Sequence, residues 1–116
     1  MTDEHKLGAY SAARVSNGIV FTAGQIGQDE SGSRPDAFAD EVRAAIASLE
    51  STLMEHGSSL AGLLQVHCIL SDMSLFEEFN RIYSEMVPTP FPPRFTHSGG
   101  LVENFRIEIV GIAEAL

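Results

Sequence analysis

The chain is poor in cysteine, in basic residues and in long apolar runs, and each shortage removes a class of protein. Its one cysteine, Cys68, has no partner for an internal disulfide and fits a reducing compartment. Seven Lys and Arg stand against 16 Asp and Glu, a formal net charge of −9. Polyanion binding needs a basic stripe, and no Lys/Arg cluster exists, so no nucleic-acid partner is expected. No apolar run approaches the roughly 20 residues that span a bilayer, so no membrane association is expected either. Met1 to Lys6 lacks the basic-then-apolar order of a secretory signal, and a cytoplasmic location is expected. Repeats, linkers and low-complexity segments are missing. With 44% apolar residues and a mean hydropathy of +0.05, residues 1–116 are expected to form one domain around one core.

What is present reads as alternating strands and helices. Ser11 to Ser16 is a weak strand. Asn17-Gly18 is the strongest hairpin signal, because both positions tolerate φ > 0, and Ile19 to Ala23 is the returning strand. Gly24 follows, where a missing Cβ permits a sharp bend or a close approach. After a polar loop, Pro35-Asp36 predicts a helix start with Asp36 as N-cap or first-turn acid. Phe38, Val42, Ala45, Ile46, Leu49 and Leu53 make its apolar stripe, and Gly57 its left-handed stop. Leu64 to Leu70 reads as a central strand, with Leu64, Val66, Cys68 and Leu70 on one face and Gln65, His67 and Ile69 on the other. Ser74 and Glu77 form a capping-box pattern before a second helix, which buries Phe76, Phe79, Ile82, Tyr83 and Met86 and stops at Pro88. Residues 97–100 read as a connector, and a final strand is expected from about Asn104 to Ala113. The order is α+β: a mixed sheet with two helices on one face. The other face would carry Gln65, His67, Arg106, Glu108 and Val110 among apolar residues. That face is too apolar to be idle and too polar to be a core.

Two residues stand out chemically. Arg94 follows Pro92 and Pro93, which fix φ and hold the approach extended, and it precedes strand-forming Phe95 and Thr96. A guanidinium on so stiff a segment suits a carboxylate or phosphate, since it offers two parallel hydrogen bonds at little entropic cost. An ordinary surface or interface ion pair is the plain alternative. Glu108 is a lone acid in an apolar strand, where Phe105, Ile107 and Ile109 alternate with Arg106, Glu108 and Val110. A partner role for Arg106 or Arg94 is its plain alternative. Cys68 reads as an inert core thiol, with nothing cationic beside it in sequence. His67 and Cys68 are adjacent and point to opposite faces of a strand. No His/Cys/Asp/Glu group has metal-ligand spacing, so no metal is expected.

Pro92-Pro93-Arg94-Phe95, followed by Ile107-Glu108-Ile109, resembles the signature of the RidA/YjgF family (reactive intermediate deaminase A, also labelled endoribonuclease L-PSP). His97 stands where an aliphatic or aromatic residue is usual, and the connector to Ile107 is slightly short. Ala23-Gly24-Gln25 is similar to the family's Ser-Gly-Gln, with Ala in place of Ser. Tyr10 matches the aromatic ring of its Gly-Pro-Tyr segment, Phe76, Asn80 and Tyr83 match its second helix, and Thr96 stands where Cys is common. The resemblance implies a chorismate-mutase-like, trimer-forming domain with ligand sites in the clefts between subunits. It implies that Arg94 clasps the carboxylate of a 2-imino or 2-enamino acid and that Glu108 orients the attacking water. Tyr10, Ala23, Gly24, Asn80 and the backbone at Thr96 would border that ligand. The implied activity is a cofactor-independent enamine/imine deaminase that releases ammonia and a 2-ketoacid. A non-catalytic trimer that binds small carboxylates and regulates a partner is the alternative. An endoribonuclease is another, against which the acidic balance argues.

Overall fold

A computed structural model describes residues 8–116, so the Met1 to Lys6 stretch lies outside the described residues. The expected order of strands and helices is found, with a short third strand added before the first helix: β1 (Ala13–Ser16), β2 (Ile19–Thr22), β3 (Gln25–Ile26), α1 (Phe38–Glu55), β4 (Leu63–Leu70), α2 (Phe76–Met86), β5 (Arg94–Ser98) and β6 (Ile107–Glu114). The sheet runs β1-β2-β6-β4-β5, and β3 pairs with β6 beyond the end of β2. Only β4 and β5 are parallel, which the α2 crossover makes possible. Asn17 and Gly18 take φ of 51° and 76°, the left-handed pair that a two-residue hairpin between twisted strands requires. Both helices pack on one face, where Val20, Val66, Leu70, Ile107 and Ile109 meet the apolar stripes of α1 and α2.

The α1 stripe is buried as its spacing predicts, and the helix stops as expected. Gly57 sits at φ +83°, and the Ser58 N–H donates to Leu53 O at 2.9 Å. Its start differs from expectation. Ala37, not Asp36, is the cap residue, and no side chain caps the helix. The Asp36 carbonyl is drawn instead into a bond from Arg106 (Nη2 to O, 3.1 Å). The capping box of α2 also fails to form. The Asp72 carboxylate accepts the Ser74 N–H at 2.8 Å and so caps a 3₁₀ turn over Met73–Leu75, leaving Leu75 as the uncapped residue before the helix. At α2 a local bond competes for the capping group, since Asp72 takes the Ser74 N–H that Glu77 would have bound.

Three strand boundaries shift as well. A bulge between Leu63 and Gln65 turns Leu63 inward and leaves Leu64 exposed, so Leu64 does not share the core face. His97 and Ser98 belong to β5 rather than to a connector, because they pair with Ile69 and Leu70. The Val66 N–H donates to Pro93 O at 2.9 Å, which joins the proline approach to the ladder just ahead of Arg94. β6 starts at Ile107 instead of near Asn104, after a turn in which Glu103 is left-handed at φ 51°.

Arg106 corrects the expected composition of the open sheet face. Its side chain folds back onto α1, over the Phe38 ring at 5.5 Å. Glu41, completely buried, accepts the Arg106 backbone N–H at 2.7 Å and its Nε–H at 2.6 Å. The open face therefore carries Gln65, His67, Ile69, Phe95, His97, Glu108 and Val110 without a cation from Arg106. Phe21 and Phe95 there are about half exposed.

Candidate functional site

Arg94 is the first residue of β5 and stands in register with Val66, so its side chain lies on the helix side of the sheet. The guanidinium rests over three rings of α2: Tyr83 at 4.6 Å, Phe79 at 5.5 Å and Phe76 at 5.7 Å. This aromatic bed accounts for the spacing of Phe76, Phe79 and Tyr83 on one face of the helix, and it holds the cation by its flat surface. The edge, with its donors, stays free: among the described residues the Arg94 side chain has no hydrogen-bond or ion-pair partner. The cations of Arg43, Arg81 and Arg106, by contrast, all have carboxylate partners. Arg94 opens onto a cleft of about 330 Å³ lined also by Asn80, Tyr83, Ser84, Phe91 and Pro92. Asn80 is exposed on its wall and makes no side-chain hydrogen bond among the described residues.

Behind Arg94 the wall is buried and polar. Thr96 lies two residues along β5 on the same side, beside Cys68 of β4. Burial pushes the Cys68 thiol up to about 12, outweighing the nearby Arg94 charge and the Thr96 hydroxyl, so the thiol stays neutral and inert. Burial and the neighbouring Cys68 push the Tyr83 phenol up to about 12, again against Arg94. Thr96 Oγ1 and Tyr83 Oη are both buried, and neither has a hydrogen-bond partner among the described residues.

Glu108 lies elsewhere. It pairs with Ile69 and Ile26, so its side chain projects from the open face of the sheet. The carboxylate lies directly against Gly24: a Cβ on that residue would stand 1.8 Å from Glu108 Oε2. The close approach explains the glycine, whose φ lies outside the left-handed region. Tyr10, Ala23, Gly24, Ile26 and Val102 enclose Glu108 in a cleft of about 420 Å³, where Tyr10 is more than half exposed. The Gly24 segment is held in place by a short relay. Ser48 Oγ of α1 donates to Gln25 Oε1 at 2.6 Å, and Gln25 Nε2 donates to Ala23 O at 3.2 Å.

The expected site residues thus fall into two groups within one chain. Arg94, Asn80 and Thr96 lie on the helix side, and Glu108, Tyr10, Ala23 and Gly24 lie on the open side. Neither group reaches the other through the sheet, and neither Arg106 nor Arg94 is the ionic partner of Glu108. Sequence reasoning missed two contacts. One is the Glu41 clasp of Arg106, for which the signal was a carboxylate inside the apolar stripe of α1. The other joins His67 and His97, whose Nε2 atoms are 2.7 Å apart across the parallel pair. Burial, helped by His97 and opposed by Glu108, holds His67 below its ordinary value.

The chain is similar to known proteins along nearly its whole length. The family described as endoribonuclease L-PSP matches residues 2–115. The mitochondrial protein mmf2 of Schizosaccharomyces pombe is 34% identical over 110 residues, covering 91% of this chain and 87% of its own. A 2-iminobutanoate/2-iminopropanoate deaminase of Rattus norvegicus is 30% identical, covering 92% of this chain and 80% of its own. The crystal structure of yeast Mmf1 superimposes with a TM-score of 0.88 at 27% identity, covering 94% of this chain and 89% of that one. A member of the YjgF protein family from Neisseria meningitidis gives a TM-score of 0.86 at 25% identity, covering 94% and 89%. With a family match over residues 2–115 and relatives 30–34% identical along about nine-tenths of its length, the chain belongs to the RidA/YjgF family, the endoribonuclease L-PSP family of proteins.

Proposed function

We propose that this protein hydrolyses 2-imino and 2-enamino acids to 2-ketoacids and ammonia, in a site built between copies of the chain. The observation that carries the reading is the unpaired Arg94 edge. A cation bedded on three rings, with all its donors free, is prepared for a planar anion. Two charge-assisted hydrogen bonds to a carboxylate, each worth roughly 1.5–3 kcal/mol, are enough to hold a small acid. Such a ligand brings its C=N carbon to the mouth of the Arg94 cleft.

Glu108 supplies the chemistry at that carbon. Its carboxylate takes a proton from water as the oxygen adds to C2 and passes it to the imine nitrogen, which gives a carbinolamine. The C2 hydroxyl then gives its proton by way of Glu108 to the amine nitrogen, the C–N bond breaks, ammonia leaves and C2 becomes the ketone. Because Arg94 and Glu108 lie on opposite faces of one sheet, the two halves come from neighbouring copies. A closed homotrimer, with the open faces turned inward, gives three equivalent sites. The cytoplasmic, metal-free working form follows the same reading, and small 2-imino and 2-keto acids are its ligands. The test is ammonia release from an iminoacid generated in situ by an amino-acid oxidase. Catalysed release that vanishes in Arg94→Ala supports the reading. Binding of 2-ketobutyrate without any acceleration would leave a carboxylate-binding regulator in its place.

A further inference from the structure

Three polar groups without partners converge beneath β5. The Arg94 guanidinium has only ring faces around it. Tyr83 lines the Arg94 cleft and is 3% exposed, and its hydroxyl bonds to nothing. Thr96 Oγ1, on the same side of β5 as Arg94, is likewise buried and unpaired. Orphaned buried hydroxyls are rare, because each forfeits its hydration without compensation. Phe at position 83 and Val at position 96 would fill the same space without that penalty. Both hydroxyls lie on the side of the sheet where Arg94, bedded on rings and without a partner among the described residues, opens onto its cleft.

We propose that the Tyr83 hydroxyl, backed by that of Thr96, binds the heteroatom at C2 of the acid that Arg94 clasps, and so selects 2-oxo and 2-imino acids over plain carboxylates. This inference rests on the reading of Arg94 as a carboxylate anchor. A hydroxyl suits the reaction because it both donates and accepts. It can accept from the N–H of the imine and donate to the carbonyl oxygen of the product, simply by rotating. A Lys could only donate and a carboxylate could only accept. Both neighbours keep their protons: the phenol and the Cys68 thiol are each pushed up to about 12. Tyr83 and Arg94 line the same cleft, so an acid held on the free edge of Arg94 lies beside the Tyr83 ring. An acid lacking the second heteroatom leaves these buried hydroxyls unpaired.

The experiment is calorimetric binding of 2-ketobutyrate and of butyrate to the wild type, Tyr83→Phe and Thr96→Val, with the melting temperature of each. The wild type binds 2-ketobutyrate more tightly than butyrate. Tyr83→Phe weakens 2-ketobutyrate by roughly three- to tenfold, leaves butyrate unchanged and melts no lower than the wild type. Thr96→Val does the same more weakly. Unchanged 2-ketobutyrate binding in Tyr83→Phe overturns the inference while leaving the anchor reading intact. A lower melting temperature with both acids weakened equally also overturns it, since the hydroxyl is then structural. If the wild type binds neither acid, the anchor reading falls and this inference falls with it.

Discussion

Replacing Gly24 by Ala perturbs the site with a single methyl group. The backbone accepts it, since Gly24 is not left-handed. The new Cβ stands 1.8 Å from Glu108 Oε2, 2.7 Å from Cδ and 3.0 Å from Cγ. Ordinary contact begins near 3.4 Å, so the carboxylate must retreat by about 1.6 Å (3.4 − 1.8). All three clashing atoms belong to one side chain, which escapes by rotating. The off-rotamer cost of about 0.5–1.5 kcal/mol is offset by about 0.4–1 kcal/mol from a stiffer unfolded chain. Net stability therefore changes by less than about 1 kcal/mol. Catalysis is far more sensitive, because a displacement of about 1 Å from productive geometry costs on the order of 10² in rate. The assay is kcat for ammonia release, with the melting temperature measured on the same preparation. A hundredfold loss at unchanged melting temperature is expected. Full activity in a folded Gly24→Ala protein would refute the placement of Glu108 as the water-directing group.

Other consequences are independent of that one. Glu41→Ala strips Arg106 of two bonds in a buried setting and is expected to destabilise the fold by about 3 kcal/mol, read by denaturant titration; a change below 0.5 kcal/mol (roughly the size of a surface substitution) contradicts the clasp. His67 is held below its ordinary 6.5, so below pH 6.5 the unfolded chain takes up a proton that the folded chain refuses. Stability should be whole above that pH and decline as pH falls, and His67→Gln should decline less; parallel curves would contradict this. Arg94→Lys should bind 2-ketobutyrate nearly as poorly as Arg94→Ala, because an ammonium cannot reproduce the two-point contact. Light scattering should give the mass of three chains, and a monomer mass at micromolar concentration removes the shared site.

Much of this structure was legible in the sequence, for stated reasons. The hairpin at Asn17-Gly18, the stop at Gly57 and the stripes of both helices rest on local conformational preference and periodicity, and these carry through to the fold. Ser74 failed as a cap because Asp72 takes its N–H, and Asp36 because the cap position falls one residue later, at Ala37. The Leu63 bulge and the extension of β5 through Ser98 depend on pairing partners distant in sequence, which no local pattern encodes. Arg94 was legible from its proline approach, but its aromatic bed was visible only as helix spacing. The orphaned hydroxyls of Tyr83 and Thr96 were not legible at all, since an unpaired group is defined by what surrounds it in three dimensions. The division of Arg94 and Glu108 between two sheet faces follows from strand register, and it changes what a single copy can do.

The central claim is that each site takes Arg94 from one copy and Glu108 from another, and mixing two dead variants tests it directly. Arg94→Ala and Glu108→Gln are each expected to be inactive alone. Co-refolded in equal amounts, an interface has a random chance of about one quarter of joining an intact Arg94 to an intact Glu108 in a closed ring. Ammonia release should then recover to about one quarter of the wild-type rate. A mixture that exchanges subunits yet stays as inactive as its components would contradict the shared site.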